Sequence, residues 1–315
     1  MKTHRTITSC LALVTLILAS LITSDANAVD EGWTVSFAEA KAQAAKEGKS
    51  ILMEFTGSDW CPPCKALQAK VLSQDVFKTE APKNFILLKL DNPRDKSHQT
   101  VEEQAQYRKL SAQYKVTGVP TIILADDQGR PYHQQVGYSG DPADKYVADL
   151  VQKSTILAKR NEFLAKADQA EGAERAKLLD QAIGLIDNEL AISTYADTVK
   201  EIIKLDADGS SGLKAKYESA LQIGEIKTAL TEIQGGLRNG TPEEAIAKID
   251  ELIAEKKPTG EGLQEILYLK SLVKFRSGDK ETAKKLLEEA KAAAPESKRA
   301  ENIDEVLKNV FGAGK

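Results

Sequence analysis

The chain has 315 residues, enough for two ordinary domains. With 43 basic and 47 acidic residues its formal net charge is −4, so it lacks the basic excess that nucleic-acid binding draws on. Charged residues make up 29% and aromatics 5%; the abundance of Ala, Lys, Glu and Leu favours helices.

The first 28 residues carry the pattern of a secretory signal. Lys2, His4 and Arg5 form a basic start, Leu11 to Ile22 is apolar apart from Thr15 and Ser20, and Ala26-Asn27-Ala28 is a small-x-small cleavage site. An uncleaved anchor helix is the alternative, but the run is short for a span of about 20 residues. Ile7-Thr8-Ser9-Cys10 is no lipid-attachment box, because such a cysteine follows the apolar region and Cys10 precedes it. The mature chain is therefore expected to begin near Val29, periplasmic or secreted, where disulfides persist. Its only cysteines would then be Cys61 and Cys64.

Beyond the leader, strand and helix signals alternate. Ser36 reads as an N-cap with Glu39 as its capping-box partner, and Gly48 closes that helix. Ile51 to Phe55 is a short apolar run suited to a buried strand. A helical pattern begins at Pro62, with Leu67, Val71 and Leu72 on one face. Phe85 to Leu90 is a second strand, and Val101 to Tyr114 a further helix. Thr121 to Leu124 and Tyr132 to Val136 bracket the turn Asp126-Asp127-Gln128-Gly129 and form a hairpin. Asp141-Pro142 starts a helix expected to run to Leu157. This order implies an α/β fold whose central mixed sheet is flanked by helices.

Between the first strand and its helix stands Trp60-Cys61-Pro62-Pro63-Cys64, two thiols at the spacing used for disulfide exchange. The thiolate is the reacting form, and a free cysteine has a pKa near ~8.5. At a helix N-terminus, unpaired N–H groups and the helix dipole would lower the Cys61 value and make it the attacking sulfur. Cys64, one turn in, is expected to be more buried and to resolve the mixed disulfide. Pro62 and Pro63 are tolerated in a first turn and remove two donors near the sulfurs. Zinc would need about four ligands. Two cysteines with His98 and His133, both expected at the surface, do not supply them, so neither metal nor cofactor is expected.

The segment Phe55 to Lys65 resembles the active-site stretch of the thioredoxin family, and Tyr114 to Thr121 resembles that family's loop carrying a cis-proline. The resemblance covers about residues 33–155. Gly57-Ser58 is one residue longer than the short thioredoxin form, and Asn92 to Thr100 looks like an insertion. The family implies that Pro120 is cis and presents the Val119 backbone to a substrate strand, with Trp60, Val119 and Thr121 as substrate contacts. It also implies that Glu54 takes the proton of the resolving cysteine, since buried carboxyls titrate nearer neutral pH. A solvent-facing strand position is the alternative for Glu54, simple packing the alternative for Trp60, and solvation of the helix the alternative to thiolate support for Lys65. Asp59 is assigned no catalytic role.

Residues 156–315 lose the strand signals. Gly240 to Pro258 and Gly278 to Pro295 share a turn glycine, small crossing residues and a closing proline, similar to a tetratricopeptide repeat. Tyr268 to Arg276 would supply the preceding helix, and 171–189 a more degenerate unit. A plain helical bundle is the alternative. The expected division is a signal peptide at 1–28, a thioredoxin-like domain at 29–155 and an all-α domain at 156–315. The leading expectation is an extracytoplasmic thiol–disulfide oxidoreductase, more readily a reductase, acting on protein disulfides with an unidentified redox partner. Its helical half would dock a protein or pair two copies. The competing expectation is a non-catalytic scaffold whose thioredoxin-like half is a redox-tuned binding module.

Overall fold

The computed structural model describes residues 32–312; the leader pattern and Cys10 lie outside the described residues. Five strands form one mixed sheet in the order β1-β3-β2-β4-β5. These are β1 (Trp33–Thr34), β2 (Ser50–Thr56), β3 (Phe85–Asp91), β4 (Thr121–Ala125) and β5 (Pro131–Val136). β3 runs parallel to both β1 and β2, whereas β4 pairs antiparallel with β2 and with β5. β2 is central and buried along its whole length, which is why its sequence shows an unbroken apolar run rather than alternation.

Alternation reappears as two faces. Ile51, Met53 and Phe55 join Ile86, Leu88, Leu90 and Ile123 under helices α1 (Phe37–Glu47) and α4 (Val101–Gln113). Ser36 caps α1 as expected and Gly48 closes it at φ 65°, the left-handed conformation that glycine adopts without strain. The expected box is only half closed, because the Thr34 hydroxyl donates to the Glu39 carboxylate instead.

The opposite face carries Leu52, Leu87, Ile122 and Leu124. It is covered by α2 (Pro62–Leu67), by α3 (Asp75–Asn84) and by α5 (Ala143–Ala167). A single π-helical turn, Gln68–Leu72, continues α2. The sequence pattern gave no sign of α3. Only Phe77 and Ala81 anchor it, and Pro82 in its last turn reads as a break.

α5 runs well past the expected end at Leu157, so residues 155 and 156 both lie inside one helix. The core under the sheet continues without interruption into α6 (Gly172–Ile183), α7 (Asn188–Thr194), α8 (Ala196–Leu205) and the start of α9 (Leu213–Gly236), through Leu179, Ile183, Leu190, Val199, Ile202 and Tyr217. Arg160 fastens the layers. Its side chain is fully buried and donates to the Asp126 carboxylate in the β4–β5 turn (2.8 Å), to the Tyr195 hydroxyl (2.5 Å) and to the Asn161 side-chain oxygen (2.8 Å). The Tyr195 hydroxyl in turn donates to the Pro131 carbonyl (3.2 Å).

Two smaller cores follow. One joins α9 to α10 (Pro242–Lys256) and α11 (Gly260–Arg276); the other joins α11 to α12 (Lys280–Ala293) and α13 (Lys298–Val306). Thr241 and Glu244 form a full capping box at the start of α10. Gly278, at φ 92°, makes the α11–α12 turn, and Asp279 caps α12. Among the described residues no helix is long and apolar enough to cross a membrane.

Candidate active site

The site is built where β2 gives way to α2. The Gly57 carbonyl accepts from the Trp60 and Cys61 amides (3.2 and 2.9 Å), so the chain turns sharply before the helix starts. Cys61 is the N-cap of α2, and its Sγ accepts from the Cys64 amide at 3.2 Å. The two cysteines form a disulfide, with Cα atoms 5.2 Å apart. Both residues are buried, Cys64 (1% exposed) slightly more than Cys61 (3%). Pro62 and Pro63 occupy the first two helical positions. A cap side chain draws its hydrogen bonds from the second or third helical amide. Pro63 at the second position has none to give, so the Cys64 amide is the donor that remains.

Facing the disulfide is the loop before β4. The Val119–Pro120 peptide bond is cis, as the resemblance implies, and the Val119 carbonyl oxygen lies 3.5 Å from Cys61 Sγ. Thr121 departs from its expected place on the contact surface. It is fully buried, and its hydroxyl donates to the Gly118 carbonyl (2.7 Å), closing the loop from beneath. The sequence reading missed Val136, at the end of β5. It is 55% exposed, stands beside Gly118 and pairs with Thr121, and so lies next to the cis-proline loop.

Glu54 is only 1% exposed, which removes the solvent-facing alternative. It stands in register with Lys89 of β3 and Ile122 of β4, on the face covered by α2 and α5. Cys64 and Leu67, three residues apart, share the buried side of α2, and Leu67 belongs to the core of this face. The carboxyl therefore lies on the side of the sheet toward which the resolving cysteine turns. Tyr146 in the first turn of α5 is on the same side. Burial chiefly, and the nearby Glu54 charge next, push its hydroxyl far above the usual tyrosine range.

The 57–60 turn and the 92–100 loop hold each other. The Ser58 amide and hydroxyl both donate to the Asp91 carboxylate, and Trp60 Nε1 donates to the Asn92 carbonyl (2.8 Å). The Asp59 carboxylate accepts from the Arg94 amide (2.9 Å) and the Asp95 amide (3.0 Å), and these backbone donors hold its pKa below the usual carboxylate value. The Arg94 guanidinium lies 5.9 Å from the Trp60 ring centroid. The 57–60 turn and the 92–100 loop thus form one structure beside the cysteines. Lys65 belongs to it too, donating to the Asp59 carbonyl (2.7 Å) rather than simply solvating the helix.

His98 is exposed as expected, whereas His133 is half-buried on β5. Burial first, then Lys153, lower its pKa against the opposing pull of Asp149 and Asp187. Among the described residues no group of three or more His, Cys, Asp and Glu side chains could hold a metal ion.

Residues 37–152 match the family model described as a thioredoxin-like domain. The chain is 38% identical over 115 residues to a disulfide bond reductase, DsbH, of Chlamydia pneumoniae, covering 36% of this chain and 68% of that protein. It is 23% identical over 200 residues to the thioredoxin-related protein DsbJ of the same organism, covering 62% of this chain and 54% of the relative. The solved structure of a DsbH oxidoreductase is similar at 30% identity and a TM-score of 0.37, covering 39% of this chain and 83% of that one. The match over residues 37–152 takes in β2 to β5, both cysteines and the cis-proline loop, and together with the 38% identity to a reductase covered over 68% of its length it shows that the chain belongs to the thioredoxin-like family, as a thiol–disulfide oxidoreductase.

Proposed function

We propose that the protein is an extracytoplasmic reductase of protein disulfides, with Cys61 as nucleophile and Cys64 as resolving cysteine. In the reduced protein the Cys61 thiolate attacks one sulfur of a substrate disulfide. A Cys61–substrate bond forms, the substrate S–S bond breaks, and one substrate thiolate leaves. Cys64 then gives its proton to Glu54 and attacks the Cys61 sulfur. The Cys61–Cys64 bond forms and the second substrate thiol is released, so that the protein carries away two electrons fewer than it brought. A redox partner returns them. Val119 and cis-Pro120 hold the substrate strand, and Trp60 with Val136 forms the apolar border of the contact.

The observation that carries this reading is the placement of Cys61 Sγ at the α2 cap with the Val119 carbonyl 3.5 Å away, so that the reacting sulfur and a backbone edge for substrate are adjacent. Two features support reduction as the direction. The sulfur has one cap donor rather than two, which leaves the thiolate, and with it the reduced form, less stabilised. The relative matched at 38% identity carries the name of a reductase. The leader pattern at 1–28 supports export. The core shared between the sheet and α5–α9 favours one working unit over a scaffold with an attached module.

The test is dithiothreitol-dependent insulin reduction with Cys61→Ser as control. The wild type is expected to precipitate insulin far faster than the variant; equal rates contradict the proposal.

A further inference from the structure

The helical half contributes a second groove beside the exchange site. A cavity of about 440 Å³ lies between the segment leading to the cis-proline loop, Lys115 and Thr117, and the helices α7 and α9. Its size falls within the ~300–1,000 Å³ of ordinary ligand sites. Ile192 and Ile223 give it apolar lining, while Ser193, Thr228 and Thr117 add hydroxyls. Its charges are mixed. Glu189 and Lys227 on its wall pair with each other at 3.0 Å, and Asp187 caps its own helix. Such a lining suits neither a bare anion nor a lipid tail. It suits polypeptide, whose backbone and mixed side chains ask for both apolar area and hydrogen-bonding groups.

The position of the groove matters most. Thr117 precedes Val119 by two residues, so their Cα atoms lie within about 7 Å of one another. The Val119 carbonyl is itself 3.5 Å from Cys61 Sγ. A chain lying across Val119 reaches the groove within two or three of its own residues.

Gly224 is an independent observation. It sits inside α9, where glycine is a poorer helix former than alanine. A side chain there would meet nothing within 4 Å, so packing of α9 does not call for glycine. What its absence of side chain does is leave the wall of the groove low.

We propose that this groove is an extended substrate subsite. It takes the polypeptide segment flanking the substrate's cysteine and so makes the enzyme prefer disulfides in unfolded or extended chains. The inference rests on the exchange reading given above.

The experiment compares two symmetric disulfide-linked peptides in the full-length protein. In one, the cysteine is flanked by a single residue on either side. In the other, about six residues flank it on either side, each arm reaching about 20 Å when extended. The wild type is expected to reduce the long peptide with a kcat/KM about tenfold above the short one. Gly224→Leu, which fills the groove, is expected to bring that ratio close to one, mainly by raising KM for the long peptide. Gly235→Leu lies on the same helix, away from the groove and also in open space, and is expected to keep the wild-type ratio. Thermal melts of both variants report folding. A wild type that reduces both peptides equally overturns the subsite alone, as does a folded Gly224→Leu protein that keeps the preference. A wild type inert toward both overturns the exchange reading and the subsite with it.

Discussion

The indole of Trp60 stands where a side chain on Gly57 would stand. A β-carbon at residue 57 would come within 2.4 Å of the ring, closer than any real contact. The edge of the ring that faces Gly57 is held as well, its Nε1 donating to the Asn92 carbonyl. Gly57 is therefore fixed by Trp60, and the 92–100 loop helps to fix Trp60.

From this close approach, Gly57→Ala is expected to displace the indole, to destabilise the protein by about 1–3 kcal/mol and to slow exchange. Tryptophan fluorescence should change with it, since the chain has one other tryptophan, Trp33, and that one is stacked on Phe77 at the far edge of the sheet. An unchanged spectrum and rate would contradict the coupling.

The cap geometry separates the two prolines. Pro63 occupies the position whose amide could reach Cys61 Sγ, and Pro62 does not. Pro63→Ala should add a donor worth about 1.5–3 kcal/mol to a charged acceptor, and so lower the Cys61 thiol pKa by about one unit or more. A lower thiol pKa stabilises the reduced form, so the same variant should have a less negative reduction potential. Pro62→Gly should change either quantity much less. Thiolate absorbance titrations of the three proteins check the order.

The buried Arg160–Asp126 pair predicts an acid-sensitive joint between sheet and helices. Burial alone would raise the Asp126 pKa, but the hydrogen bonds from Arg160 and the Arg130 amide outweigh it and hold the carboxyl below its usual range. A depressed folded-state value means that the stabilisation is complete above the unfolded value of ~3.9 and is lost as pH falls through the lower folded value. Asp126→Asn leaves Arg160 buried without its counter-charge and should cost about 3–5 kcal/mol at neutral pH. Its stability should also fall less steeply than the wild type's below about pH 4. Urea denaturation across that range measures both effects.

Tyr146 gives the opposite sign. Its hydroxyl is buried and finds no hydrogen-bond partner among the described residues. Tyr146→Phe removes an unsatisfied polar group while keeping the ring against Tyr138, and is expected to leave stability unchanged or raise it by up to about 1–2 kcal/mol. A loss of stability on thermal melting would contradict the assignment.

What was legible in the sequence was local. The apolar run of β2, the cap at Ser36 and the glycines at residues 48 and 278 act within a few residues of where they stand. The paired cysteines at the mouth of α2 were equally plain. Pro120 was legible as cis only through the resemblance, because nothing in Val119-Pro120 itself selects that isomer. What was not legible depends on distant partners. Arg160 and Asp126 look like ordinary surface charges until the fold brings them together across 34 positions. Asp59 and the 92–100 loop are separately unremarkable, and only their juxtaposition makes a clasp. Thr121 reads as a surface threonine, yet the strand pairing of β4 turns it inward. α3 fails for a different reason, since two anchors and an internal proline are too weak a periodic signal.

The central claim, that Cys61 attacks and Cys64 resolves, is tested most directly by trapping. Reduced Cys64→Ser protein mixed with insulin should accumulate a covalent adduct through Cys61, released by dithiothreitol, because the resolving sulfur is gone. Cys61→Ser should form far less, its remaining thiol being buried beneath the cap. Failure of the Cys64→Ser protein to trap insulin, or equal trapping through Cys64 in the Cys61→Ser protein, would contradict the account.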